Sequence, residues 1–198
     1  MPDLMPPAVP AGSLRSLPQP TLRVDELTLR PWRGTDVDAV VDAYRDPDIQ
    51  RWHVRSMSYD EARAWIASWP DRWRAETGAR WAIADEQALV GRDGLGAISL
   101  GEGAAAIAYW TLPAARGRNI AARAVRTVSA WMFSSVGLHR IELNHSTLNT
   151  ASCRIAAKAG FGYEGTKREQ GLHHDGWHDM HLHARLASDA DDVTGRAR

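Results

Sequence analysis

The stretch Arg116-Gly117-Arg118-Asn119-Ile120-Ala121-Ala122-Arg123-Ala124 decides how the rest of the chain is read. It follows an expected strand that ends at Pro113. It opens a helical run in which Ile120, Ala124, Val128, Trp131 and Met132 share one face. A turn of small residues entering a helix leaves the first backbone N–H groups unpaired and pointing forward. With the helix dipole, they form a site for a phosphate or pyrophosphate. The chain lacks both the three-glycine dinucleotide pattern and the Gly-Lys-Ser/Thr of a phosphate loop. The stretch is therefore an arginine-flanked anion cradle of another type or, taken alone, an ordinary helix start with solvated arginines. Its neighbours must decide.

The 198 residues suit one domain with a substantial core. Lys+Arg and Asp+Glu balance at 24 each, so no global field favours nucleic acid or an anionic membrane. The single cysteine, Cys153, rules out an internal disulfide framework and suits a reducing, cytoplasmic setting. No run approaches the length of a membrane span, and the N-terminus lacks the apolar core of a signal peptide. Nine tryptophans supply flat surfaces for a core, a groove or an interface.

In chain order, residues 1–20 hold six of the ten prolines and few large apolar residues, which predicts a disordered leader. A single domain is expected over residues 21–187, then a frayed charged tail, 188–198. Leu22 to Leu29 alternate as a first strand. Thr35 is placed to cap a helix through Val37, Val40, Val41 and Tyr44 that stops before Pro47. Ser58 and Glu61 form a capping box for a second helix. On it Trp65, Trp69 and Trp73 share one face, more simply a buried stripe than a substrate surface, and Pro70 ends or kinks it. Three strands follow at 80–84, 96–100 and 105–112, then the cradle helix, then a strand over 138–147. Strand, crossover helix and strand make a right-handed unit whose two strands run parallel. Asn149 caps a short helix that Gly160 ends, and strands at 161–166 and 180–186 flank a polar hairpin, 167–179. The fold class is mixed α/β.

With this order on the page, the chain resembles the GNAT superfamily of acyl-CoA-dependent N-acetyltransferases, nearest the RimJ/RimL-like branch. The resemblance spans roughly residues 22–187. It rests on Ala108-Tyr109-Trp110-Thr111-Leu112-Pro113 leading into Arg116–Ala122, His139-Arg140-Ile141-Glu142-Leu143, Asn149-Thr150-Ala151-Ser152, Lys158-Ala159-Gly160-Phe161 and Asp175-Gly176-Trp177-His178-Asp179. It implies a central, mostly antiparallel sheet with one parallel pair splayed at its C-terminal end, and acetyl-CoA as co-substrate. By resemblance the N–H groups of Gly117, Arg118, Asn119, Ile120, Ala121 and Ala122, after Arg116, hold the pyrophosphate. Arg118, Arg123 and Lys158 are candidates for the outer phosphates. The pantetheine arm pairs with backbone near Leu112 and meets Asn149, and Trp52, Trp65 and Tyr109 face the acceptor. Asn119 stands where the family has glycine. Asn is the non-glycine residue that best tolerates a left-handed backbone.

Acyl transfer to an amine requires a neutral amine, stabilisation of developing oxyanion charge, and departure of a thiolate. The family's usual tyrosine acid is replaced here by Ala156, and Ser152 stands at the position proposed to replace it in the RimL-like branch. Its usual strand carboxylate is replaced by Ala106, which leaves Glu102, Glu142, His145 and Glu169 as base candidates. An α-amino group, with a pKa near 8, needs less help from a base than a lysine near 10.4. A protein N-terminal α-amine is the expected acceptor, and a small amine such as an aminoglycoside, polyamine or amino acid is the alternative. A non-catalytic acyl-CoA-binding or interaction module is the alternative of another class. The histidines between His173 and His183 read as a polar hairpin and a wet strand face rather than a metal site, so no metal is expected. No motif calls for a homodimer, although the C-terminal strands and tryptophan faces are compatible with one.

Overall fold

The computed structural model describes residues 4–86 and 88–189. Alternating apolar and polar residues form β1 (Leu22–Val24) and β2 (Leu27–Arg30), whose leucines point into the core. After one 3-10 turn come α1 (Val37–Ala43), α2 (Pro47–His53), α3 (Tyr59–Ala67) and α4 (Trp69–Arg74). The chain then builds β3 (Gly78–Ala84), β4 (Leu89–Ser99), β5 (Ala104–Ile107) and β6 (Trp110–Thr111). It continues through α5 (Ile120–Trp131), β7 (Arg140–Ser146), α6 (Thr150–Lys158), β8 (Gly162–His173) and β9 (Gly176–Leu186).

Among the described residues these strands form one sheet in the order β1-β2-β3-β4-β5-β7-β9-β8, with β6 also on β4. Every pairing is antiparallel except β5 with β7. The expected mixed sheet with one parallel pair is present. One apolar cluster joins the sheet to α5 through Trp81, Leu95, Ile120, Ala124 and Val128, and a second joins α1, α2 and α3 to Trp110. No described helix is long and apolar enough to cross a membrane.

Several elements differ from expectation. Thr35 sits inside the 3-10 turn, and Asp36 stands before α1 with its carboxylate held by Arg30 at 2.7 Å and by the Arg33 N–H at 2.8 Å. Pro47 does not end the helical region. It occupies the first turn of α2, capped by Asp46, which accepts the Ile49 N–H at 2.9 Å. Pro70 likewise opens α4, so the tryptophan stripe runs over two helices. Its members pack. Trp65 meets Trp32 and Trp69 edge-on, and Trp73 meets Trp81 and Trp131. The expected polar hairpin is instead the paired ends of β8 and β9, which turn at His174-Asp175.

The largest difference is at the start of the chain. Residues 4–20 form an ordered strap in which Val9 and Leu14 reach the core. Proline removes a donor but keeps its carbonyl. Here Trp73 and Trp81 donate their indole N–H groups to the carbonyls of Leu17 and Pro20, at 2.9 and 2.8 Å. Glu76 anchors the strap by accepting the N–H groups of Gly12, Leu14 and Arg15 at 2.8, 2.8 and 3.0 Å. Burial alone would push this carboxyl up, but the three donors outweigh it and hold it below its ordinary value. Glu76→Ala orphans all three donors and should cost about 2–3 kcal/mol. A lower denaturant midpoint and new tryptic cleavage at Arg15 are the expected readings, and an unchanged midpoint refutes the anchor. The expected tail lies mostly at 190–198, outside the described residues.

Candidate active site

β5 and β7 pair over Ala104–Ala106 and Arg140–Glu142 and then part. β5 ends at Ile107, and the chain returns to β4 as β6 only at Trp110. The carbonyls exposed by this break are held from the protein side. Arg80 donates to Ala108 and Gly94 at 3.2 and 3.0 Å, and His53 Nε2 donates to Tyr109 at 3.1 Å. Burial and the Arg92 charge push His53 down to about 3, so it is a neutral donor at working pH. Burial pushes the carboxyl of Asp93, next to Arg92, up to about 7.

The parting strands enclose a cavity of about 590 Å³. Its walls are Ile107–Thr111, Leu143–Ser146, the first turns of α5 and α6, and the end of α2. At the floor, Gly117 (φ 81°) and Asn119 (φ 58°, ψ 20°) are left-handed, and α5 begins at Ile120. Asn119 therefore has the conformation expected of it. The N–H groups of that first helical turn face the cavity end of α5.

The arginines around this turn serve another purpose. Arg116 binds Asp46 and Asp48 at 2.6 and 2.7 Å, Arg118 binds Asp85 at 3.1 Å, and Arg123 binds Asp25 and Glu26, both at 2.8 Å. They brace the loop. Lys158 does line the cavity, together with Arg154, which sequence reasoning missed. No ion pair links either cation to a carboxylate among the described residues. Leu112 is not among the described lining residues, and its N–H donates to the Val90 carbonyl at 2.9 Å.

At the opposite end, Asn149 caps α6 by accepting the Ser152 N–H at 3.0 Å. Tyr109 donates its O–H to Ser152 Oγ at 3.1 Å. This leaves the Ser152 proton free to point into the cavity, and burial keeps the tyrosine protonated. Trp52 and Tyr109 line the cavity, and Trp65 does not.

Of the base candidates, Glu102 lies on the turn before β5, at the far end of the parallel pair. Glu142 pairs with Arg140 at 3.0 Å. Glu169 sits exposed on an irregular stretch of β8 with a left-handed backbone (φ 47°). None of the three lines the cavity. His145 borders it, but its Nδ1–H donates to the Ser146 carbonyl at 2.8 Å, and its Nε2 is buried without a partner.

The structure brings in residues that sequence reasoning did not select. His173 and Ser146 line the wall. Ser146 Oγ lies 2.9 Å from His178 Nδ1, and His178 Nε2 lies 2.9 Å from Asp175 Oδ1. With Nε2–H donating to Asp175, the lone pair of Nδ1 faces Ser146. The three residues come together because β7 and β8 both pair with β9.

Comparison with known proteins agrees with this geometry. The chain is 29% identical over 154 residues to the uncharacterized N-acetyltransferase YoaA of Bacillus subtilis, covering 76% of this chain and 87% of YoaA. Its fold is similar to that of RimL, the ribosomal L7/L12 alpha-N-protein acetyltransferase, in complex with coenzyme A (TM-score 0.77, 19% identity, 85% and 97% of the two chains). It is likewise similar to that of Mycobacterium smegmatis RimJ in complex with CoA-disulfide (TM-score 0.74, 22% identity, 85% and 89%). The family model described as an acetyltransferase (GNAT) domain matches residues 26–162, most of the chain, so this protein belongs to the GNAT acetyltransferases.

Proposed function

We propose that the enzyme moves an acetyl group from acetyl-CoA to a protein N-terminal α-amine. The observation that carries the acceptor is the chemistry of the cavity wall. Asp48 is the one carboxylate among the described lining residues, and Arg116 neutralises it. Polyamines and aminoglycosides carry several positive charges and need more than one carboxylate to compensate them. The remaining wall on that side is Trp52, His53, Tyr109 and His173, an aromatic surface suited to a singly charged or neutral peptide end.

Acetyl-CoA, when bound, supplies an activated thioester carbonyl. The N–H groups after Asn119 suit its pyrophosphate, and Lys158 with Arg154 suits an outer phosphate. Ser152, held by Tyr109, donates a hydrogen bond to the departing sulfur. A thiol pKa near 8.5 makes this enough without a strong acid. The proton lost by the amine passes through Ser146 to His178, with Asp175 fixing the ring.

Thiol release from acetyl-CoA with a panel of N-terminal peptides, lysine peptides, polyamines and aminoglycosides tests the acceptor. The expected result is turnover with free α-amino peptides and none with the same peptides N-blocked. Turnover confined to polycations overturns it, and ligand protection without any turnover points to a binding module. Asn119→Gly should retain acetyl-CoA affinity. Asn119→Val forces a β-branched residue into the left-handed region and should weaken it roughly tenfold, at about 1–2 kcal/mol. Equal binding by both variants in calorimetry removes the backbone role of Asn119.

A further inference from the structure

Beside the acetyl-transfer cavity, β7, β9 and α6 bring together His145, Cys153, His181 and His183. One donor atom from each lies within 4.8 Å of the others. The sheet register explains the assembly. His145 pairs with His181 and Leu143 with His183, so the three imidazoles share one face. The first turn of α6 carries Cys153, a half-buried free thiol.

The polar atoms of this cluster have few partners. His145 Nε2, His181 Nδ1 and both nitrogens of His183 are buried without hydrogen bonds. The Phe161 backbone lies near His183 but makes no bond of acceptable geometry. Burying polar nitrogens this way is costly unless something binds them. The Nδ1–H of His145 donates to the Ser146 carbonyl. That is the outer bond by which metal-binding histidines fix the tautomer and aim the other nitrogen.

We propose that His145, Cys153, His181 and His183 form a thiolate–imidazole site for a soft divalent ion, Zn²⁺ by ligand type. Three imidazoles and one thiolate, with no carboxylate, match zinc and disfavour magnesium or calcium. Tetrahedral zinc places its donor atoms roughly 3.3–3.6 Å apart, so the cluster closes by about an ångström, within reach of rotamer changes. Bound metal ties the helix that carries Asn149 and Ser152 to the strands beneath it, so metal loading reports on the helix that carries Ser152.

The test is Co²⁺ and Zn²⁺ titration of the full chain purified without a histidine tag. One equivalent of Co²⁺ should give four-coordinate d–d bands and a thiolate-to-cobalt charge-transfer band. Cys153→Ser should abolish the charge-transfer band and weaken Zn²⁺ binding on the order of 100-fold. His181→Asn, at a partly exposed position, should weaken it similarly, and circular dichroism of the metal-free variants confirms folding. The proposal falls if Co²⁺ binds without a thiolate band, if Zn²⁺ binding is lost in His178→Asn instead of Cys153→Ser, or if no stoichiometric binding occurs. None of these readings depends on acetyl transfer.

Discussion

Ser152→Ala should lower kcat by about 100-fold or more while leaving KM for acetyl-CoA within about threefold. Ser152 Oγ accepts the Tyr109 O–H, which leaves its own proton free to point into the cavity. In the proposed mechanism its removal leaves the departing sulfur without the donor that Tyr109 orients. Tyr109→Phe should have a smaller effect, about tenfold on kcat, because Ser152 remains but is no longer oriented. Steady-state kinetics with saturating peptide, alongside acetyl-CoA affinity by calorimetry, separate the two constants. The assignment fails if Ser152→Ala keeps its kcat, or if the loss appears wholly as weaker acetyl-CoA binding.

The second large effect is structural. Gly94→Ala should destabilise the fold by more than about 4 kcal/mol, enough to prevent isolation of folded protein. At φ 149° the added Cβ stands 2.2 Å from the Ala79 carbonyl oxygen and 2.7 Å from the Arg80 Cα, both backbone atoms that cannot move aside. The same glycine accepts the Ala108 N–H at 2.9 Å, at the point where β5 leaves the sheet to open the cavity. Gly117→Ala is the comparison. It is also left-handed (φ 81°), but no atom lies within 4 Å of its Cβ, so it should lose only about 1–2 kcal/mol. Chemical denaturation of both variants decides the matter, and comparable stability for the pair refutes the steric account.

Much of this fold was legible because its signals are local. The capping box at Ser58 and Glu61, the cap at Asn149 and the left-handed Asn119 each depend on a few neighbouring residues and are where expected. The misses share a cause. Pro47 and Pro70 read as stops because proline at the first turn of a helix and proline just past its end look alike in sequence. The strap at 4–20 read as disorder because its stability comes from Glu76, Trp73 and Trp81, more than fifty residues away.

The candidate site divides the same way. Asn149 follows from cap chemistry, Asn119 and Ser152 from the family resemblance, and each is at the cavity. The arginines of the opening stretch were named for their charge, but whether an arginine is free or neutralised depends on carboxylates such as Asp25, Asp46 and Asp85 on other elements. His178 and Asp175 meet Ser146 only through the register of β7 on β9, as do the three histidines around Cys153. By itself the sequence determined the caps at Ser58 and Asn149, the turn at Asn119 and, by resemblance, the family, because such signals act over a few residues. Tertiary structure alone decided which side chains share a cavity and which charges cancel, because those depend on distances between residues far apart in the chain.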